Sequence, residues 1–202
     1  MTTKLKTLLM LAAIPMVINS CKKDSDEEPQ PTAPAALEIK TVSNLFANDS
    51  AGHYTFFNLR TNAIVNLSDS ATANWDIAFF GSMILINGGT SGPGNGAGAV
   101  IGQGFDDVTS APADSSFKSD NGNALAIPAG SDNGWYHYDA VNHLIVPISG
   151  RTIVVKTADG KFGKIEILSY YKDAPVNPTA ADISRYYKFR FAFQSDGTKN
   201  LE

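Results

Sequence analysis

Cysteine is nearly absent: the 202-residue chain has one, Cys21. A lone cysteine cannot close an internal disulfide, so a disulfide-stapled fold is excluded, and zinc-type ligand spacing is missing too. Histidine is scarce, with only His53, His137 and His143. No Gly-x-Ser-x-Gly elbow occurs, so the usual hydrolase signal is lacking. No other pairing of nucleophile and base emerges, and the expectation is a protein that is not an enzyme. There is no basic excess. The formal charge is −4, and removal of residues 1–20 would take Lys4 and Lys6 away and make the balance more acidic. That argues against non-specific binding to nucleic acid or anionic lipid. No apolar run is long enough to span a bilayer. Helical periodicity never extends beyond two turns after the N-terminal segment.

The N-terminus carries the most specific local signal. Lys4 and Lys6 precede the short apolar run Leu8-Leu9-Met10-Leu11-Ala12-Ala13-Ile14, and Ile18-Asn19-Ser20 leads to Cys21. This pattern reads as a bacterial lipoprotein signal over residues 1–20, with Cys21 as the lipidated (palmitate-bearing) residue. Residues 21–36, with Lys22-Lys23-Asp24-Ser25-Asp26-Glu27-Glu28-Pro29 followed by Pro31 and Pro34, read as a disordered tether. The folded part is then expected over residues 37–202.

What is abundant there is β-pattern. Leu37 to Val42 alternates, and Ser43 to Ser50 reads as a loop. Tyr54 to Leu59 and Ile64 to Leu67 form a hairpin around Arg60-Thr61-Asn62-Ala63. The densest apolar segment runs Asn74-Trp75-Asp76-Ile77-Ala78-Phe79-Phe80 and on through Met83-Ile84-Leu85-Ile86. A strand so apolar needs cover on both faces and reads as the centre of a sheet. Eight glycines follow between Asn87 and Gly104. A phosphate cradle is rejected there, because no Gly-Lys-Ser/Thr ending and no helix pattern follow. Phe105 to Asp120 has room for one short helix in an irregular stretch. Gly134 to Tyr138 and His143 to Ile148 flank the turn Asp139-Ala140-Val141-Asn142. Arg151 to Thr157 and Lys161 to Tyr171 flank Asp159-Gly160, the clearest hairpin in the chain. Tyr187, Phe189, Phe191 and Phe193 share one face of a last strand. The fold class is all-β: one domain of roughly ten or more mostly antiparallel strands, stacked as sheets or a sandwich.

Asp76 is the only carboxylate deep in an apolar run. It is either an acid with a raised pKa or, as is commoner for such a residue, a structural anchor bonded to backbone amides. His137 and His143, six apart across a turn, are either polar residues at a hairpin end or a pair able to clamp a flat cofactor. Met83 is either core packing or a soft ligand. Trp135, Tyr136 and Tyr138 are either core or a stacking platform for a glycan or another apolar ligand.

The ordered set Asn74 to Phe79, Ile86-Asn87-Gly88-Gly89-Thr90-Ser91-Gly92 with Gly98-Ala99-Val100, Gly134-Trp135-Tyr136, Val154 to Lys161 with Lys164, Ser169-Tyr170-Tyr171 and Tyr187 to Phe191 resembles the HmuY family of Bacteroidota lipoproteins. The resemblance runs from about Ala36 to the end. It implies an all-β fold and a lipid-anchored protein on the outer face of the outer membrane. It also implies haem as ligand, with host haemoproteins as a source and a TonB-dependent outer-membrane transporter as the recipient. In characterised members two side chains, a His pair or a Met pair, hold the iron axially. His143 lies where the resemblance implies the second ligand. Val100 to Gly134 contains neither His nor Met, which leaves His137 or Met83 for the first. No metal is implied beyond haem iron. The alternative is a non-haem binding or adhesion module.

Overall fold

A computed structural model describes residues 37–47 and 51–202. The signal segment, Cys21 and the tether lie outside the described residues. Among the described residues there are eleven strands: β1 Ile39–Phe46, β2 Thr55–Asn58, β3 Ala63–Val65, β4 Ile77–Phe80, β5 Met83–Ile86, β6 Ala97–Ile101, β7 Tyr136–Asp139, β8 Leu144–Pro147, β9 Thr152–Lys156, β10 Phe162–Tyr171 and β11 Ser184–Gln194. They form a five-stranded sheet in the order β1-β11-β10-β9-β6, a four-stranded sheet β3-β2-β4-β5 and a two-stranded ribbon β7-β8. Every strand pair is antiparallel.

The two larger sheets share one core. Alternation along β11 turns Tyr187, Phe189 and Phe191 inward, and Phe193 packs against the same cluster. Phe57 of β2 meets Phe189 edge-on with centroids 5.5 Å apart, and Phe79 of β4 lies 4.8 Å from Tyr187. Each such fully buried ring contributes about 1.5–3 kcal/mol through burial alone. The outer face of the five-stranded sheet is also covered. Val154 and Phe162 pack there with Val108, Ala111 and Leu201. Lys164, almost fully buried on that face, donates from Nζ to the carbonyls of Phe105 and Val108, both at 2.9 Å.

The apolar segment that reads as one strand is two. Gly81, at φ +55°, and Ser82 turn the chain, so β4 and β5 pair as a tight hairpin. Gly81 N–H donates to the Ala47 carbonyl, and Tyr187 Oη donates to the Gly81 carbonyl, which fixes the reversal against β1 and β11. β4 keeps the expected central place, with Ile77 and Phe79 in the main core and Ala78 against Phe56 and Trp75 behind it. β5 is an edge strand.

Two stretches expected to be loops contain strands. β1 continues to Phe46 through a bulge between Val42 and Leu45, where Asn44 adopts φ +56°. Asn44 Nδ2 donates to Asp173 Oδ1 at 2.8 Å, and Asp173 N–H donates back to Asn44 Oδ1 at 2.7 Å. Inside the glycine-rich stretch, Ala97 to Ile101 forms β6, because small residues are what the space allows. A Cβ on Gly98 would stand 2.8 Å from Ile127 Cδ1. Between Phe105 and Asp120 there are two 3₁₀ turns, Phe105–Asp107 and Asp114–Ser116, rather than one helix. The β9–β10 hairpin closes through the three residues Ala158-Asp159-Gly160, with Thr157 N–H bonded to the Lys161 carbonyl and Gly160 at φ +83°. It is therefore a turn with a bulge rather than a two-residue Asp-Gly turn.

Candidate functional site

The conspicuous glycine stretch is organised around Asn87, which is fully buried. Its Nδ2 donates to the carbonyls of Thr72 (2.9 Å) and Trp75 (2.8 Å), and its Oδ1 accepts from Gly94 N–H (2.9 Å). Its backbone pairs with the Asp76 carbonyl and with Gly96 N–H. A Cβ on Gly92 would overlap Asn87 Oδ1 and stand 2.8 Å from the Trp75 ring. The glycines thus let the loop close over one amide, and the segment is scaffold.

Asp76 beside it is an anchor. Oδ2 accepts from Leu59 N–H at 2.8 Å and Oδ1 from Ala158 N–H at 3.1 Å, so one carboxylate ties the β2–β3 turn to the β9–β10 turn. Burial pushes its pKa up, and the two amide hydrogen bonds oppose that. Asp120, which nothing in its polar neighbourhood singled out, does the same work elsewhere: its oxygens accept from Ile86 N–H (3.0 Å) and Ala126 N–H (2.7 Å).

The three residues suggested as iron ligands are not brought together. His137 and Tyr138 are neighbours on β7 and so project from opposite faces of the ribbon. His137 Nδ1 lies 2.9 Å from Asp132 Oδ1, whereas His143 Nδ1 lies 3.0 Å from Tyr138 Oη. Met83 lines a separate cleft of about 470 Å³ with Tyr54, Leu85 and Leu125. Two further clefts, of about 490 and 430 Å³, contain no His, Met or Tyr. Among the described residues no group of three or more His, Cys, Asp or Glu is placed to hold a metal ion, and no helix is long and apolar enough to cross a membrane.

The stacking platform is absent. Trp135 and Tyr136 are buried, and only Tyr138 is exposed. Trp135 packs between Tyr136, Tyr170 and Tyr187 at centroid distances of 4.9–5.7 Å and donates from Nε1 to the Ser82 carbonyl. An alternating strand buries one face, and these two rings begin the ribbon where it enters the core.

The cleft that does gather chemistry lies beside the ribbon turn. It measures about 250 Å³ and is lined by Tyr138, His143, Leu144, Ile145, Tyr170, Tyr171 and Arg185 among others. Asp139 Oδ1 accepts from the N–H groups of Val141 and Asn142, which shapes the turn and leaves His143 at φ +56°. Arg185 is at φ +69°. Both residues line the cleft in left-handed backbone conformations. Tyr171 Oη accepts from Ile145 N–H at 2.9 Å, which docks β8 on β10. Burial pushes the Tyr170 phenol up to about 12, opposed by a hydrogen bond with Arg185. The pairing of Tyr138 with His143 was open to sequence reasoning, since the two flank a four-residue turn. Arg185 had no signal, being some forty residues away.

Two packed antiparallel sheets and a two-stranded ribbon define an all-β sandwich with a shallow cleft beside the ribbon that holds Tyr138, His143, Asp182 and Arg185. The chain belongs to the HmuY family: the family model, described as HmuY protein, matches residues 50–191. Among solved structures the chain is similar to the apo HmuY analog TFO from Tannerella forsythia, at 16% identity and TM-score 0.51, covering 78% of this chain and 95% of that one. It also matches a Bacteroides vulgatus structure provisionally named a HmuY-like heme binding protein (19% identity, TM-score 0.46, 79% and 93% covered). A third match is a Bacteroides fragilis structure provisionally named a lipoprotein (19%, 0.45, 76% and 86%). The Tannerella likeness establishes the shared fold. No curated protein matches the chain.

Proposed function

We propose that this protein is a haem-binding lipoprotein of the bacterial surface, anchored through Cys21, and that it takes up haem at the cleft beside the ribbon turn and hands it to an outer-membrane transporter. Membership of the HmuY family over residues 50–191 carries this reading. Tyr138 and Ile145 are the accessible aromatic and aliphatic residues of the cleft, Arg185 offers a cation beside the Asp182 carboxylate, and the Tyr138–His143 pair offers oxygen and nitrogen donors. At about 250 Å³ the cleft is below the roughly 300–1,000 Å³ of enclosing ligand sites, so the macrocycle would lie across it rather than inside it. Ile183, exposed between the lining residues Asp182 and Ser184, would extend the apolar contact.

Titration of the full chain with ferric haemin, followed by the Soret band, tests the proposal. A saturable shift that His143→Ala weakens and alters in shape is expected. Absence of saturation, or a shift indifferent to His143→Ala, defeats it.

A further inference from the structure

We infer that the open edge of β6 takes up an extended, acidic peptide segment of a partner protein, added as a further strand in the cleft between Val100 and Ser116. The inference is independent of the haem reading and concerns a different cleft.

β6 is an outer strand of the five-stranded sheet, paired on its inner side with β9. On its outer side Gly98 N–H donates to the Lys118 carbonyl at 2.8 Å, and Lys118 N–H donates back to the Gly98 carbonyl at 3.0 Å. Successive residues of an antiparallel strand turn their backbone groups to alternate sides. Val100, two residues on, therefore directs its N–H and C=O outward as Gly98 does. If the pairing continued, Ser116 would stand opposite it. The pairing stops because Ser116 N–H is bonded to the Ala113 carbonyl at 2.9 Å inside a 3₁₀ turn, and Phe117 packs against Phe162 with centroids 5.8 Å apart. Among the described residues the Gly98–Lys118 bridge is the only pairing on that side of β6. Beyond it a cleft of about 430 Å³ opens, with Val100, Gly102, Ser116, Lys118 and Arg151 in its lining. Outward backbone groups beside an open cleft are a template for strand addition.

Five residues of edge pair weakly through the backbone alone, and charge decides the occupant. Lys118 and Arg151 line the cleft and no carboxylate does, in a chain whose formal charge is −4. Arg151 Nη1 donates to the carbonyls of Asp132 (2.9 Å) and Gly134 (2.6 Å), which fixes the guanidinium in place. The Asp132 carboxylate, which bears on Arg151, is held by Ser131 and His137. The Lys118 ammonium is exposed and has no partner among the described residues. Carboxylates on an added strand would meet these cations, while bonds to Val100 set its register. A Cβ on Gly102 meets nothing within 4 Å, so the end of the cleft is open to an entering chain.

The test is fluorescence anisotropy of a labelled octapeptide of alternating glutamate and valine, titrated with the full chain in the absence of haemin. Its outcome is therefore separate from that of the haem titration. Saturable binding that weakens as salt rises is expected. A lysine–valine peptide should not bind, and neither should a fully N-methylated glutamate–valine peptide, which keeps the charge but cannot donate backbone bonds. Lys118→Ala keeps the backbone bridge and should lower affinity about 2–5-fold, the usual range for an exposed ion pair. Gly102→Trp fills open space beside the edge and should lower it about tenfold or more, as loss of two backbone bonds does. Thermal melts of both variants should match the wild type. No saturable binding, equal binding of the lysine or N-methylated peptide, or an affinity indifferent to Gly102→Trp overturns the inference. A wild-type dimer in light scattering that Gly102→Trp dissolves assigns the edge to a second copy and overturns it as well.

Discussion

Replacing Asn87 with alanine should be among the most destabilising single changes in this protein, although Asn87 touches no candidate ligand. The side chain makes three hydrogen bonds, to the Thr72 and Trp75 carbonyls and from Gly94 N–H. Alanine removes all three at a site with no solvent exposure. The Trp75 carbonyl is then left deeply buried without its partner, a loss of about 1–3 kcal/mol. The other two bonds are partly buried, so water can replace part of each, and about 0.5–1.5 kcal/mol apiece is the ordinary loss. The total is about 2–6 kcal/mol, a large part of the roughly 5–15 kcal/mol that holds a typical domain folded. Urea denaturation monitored by tryptophan fluorescence measures it, since Trp75 sits on the loop that Asn87 closes. Asn87→Asp should be worse than alanine at neutral pH, because a carboxylate would face two carbonyl oxygens in a dry site. If Asn87→Ala lies within about 1 kcal/mol of wild type, a margin ordinary for surface changes, the amide is not what holds the glycine segment. Hydrogen exchange at Gly94 and Gly96 would separate local loosening from global loss.

Two glycines of that segment should respond in opposite ways. Gly92→Ala meets Asn87 Oδ1 and the Trp75 ring and should cost about 1–3 kcal/mol by overpacking. Gly102→Ala points into open space at an ordinary φ and should be neutral or stabilising by up to about 1 kcal/mol. Thermal melts of the pair check this, and equal effects would refute it. Asp76 predicts a pH dependence. Its folded pKa is raised above 3.8, chiefly by burial, so between 3.8 and the higher folded value the folded state holds more protons than the unfolded one. Stability attributable to this group is then greatest below 3.8 and declines as pH rises through the folded pKa. Relative to Asp76→Asn, the wild type should lose stability over that window in pH-dependent urea melts. A relative gain would contradict the assigned direction.

The β-class and most strands were legible because alternation and turn residues act locally. The β9–β10 hairpin follows from its Asp159-Gly160 turn signal, and the inward set Tyr187, Phe189, Phe191 and Phe193 from period two. Elements that depend on what lies opposite were not legible. β6 is built of Ala97, Gly98 and Ala99, whose size suits the close approach of Ile86 and Ile127 and which carry no strand signal of their own. Gly81-Ser82 was hidden inside an apolar run whose period does not change across the reversal. At the cleft, Tyr138 and His143 are five residues apart and could be paired through their turn. Tyr171 and Arg185 reach the same place only through the β8–β10 and β10–β11 packing. His137 and His143 have different neighbours for a geometric reason: residue 137 falls on the opposite pleat from residue 138, the partner of His143.

The bulge in β1 has a consequence for how copies of the protein behave together. β1 is the longest outer strand of either large sheet, and a flat outer strand of eight residues is a template on which a second chain can add. The left-handed Asn44, held by its reciprocal bonds to Asp173, breaks that template near its middle. The remaining outer strands, β3, β5 and β6, are three to five residues long, too short to recruit a partner firmly. An outer strand interrupted in this way offers a second chain two short runs rather than one long one, and the Asn44–Asp173 clasp is what holds the interruption in place.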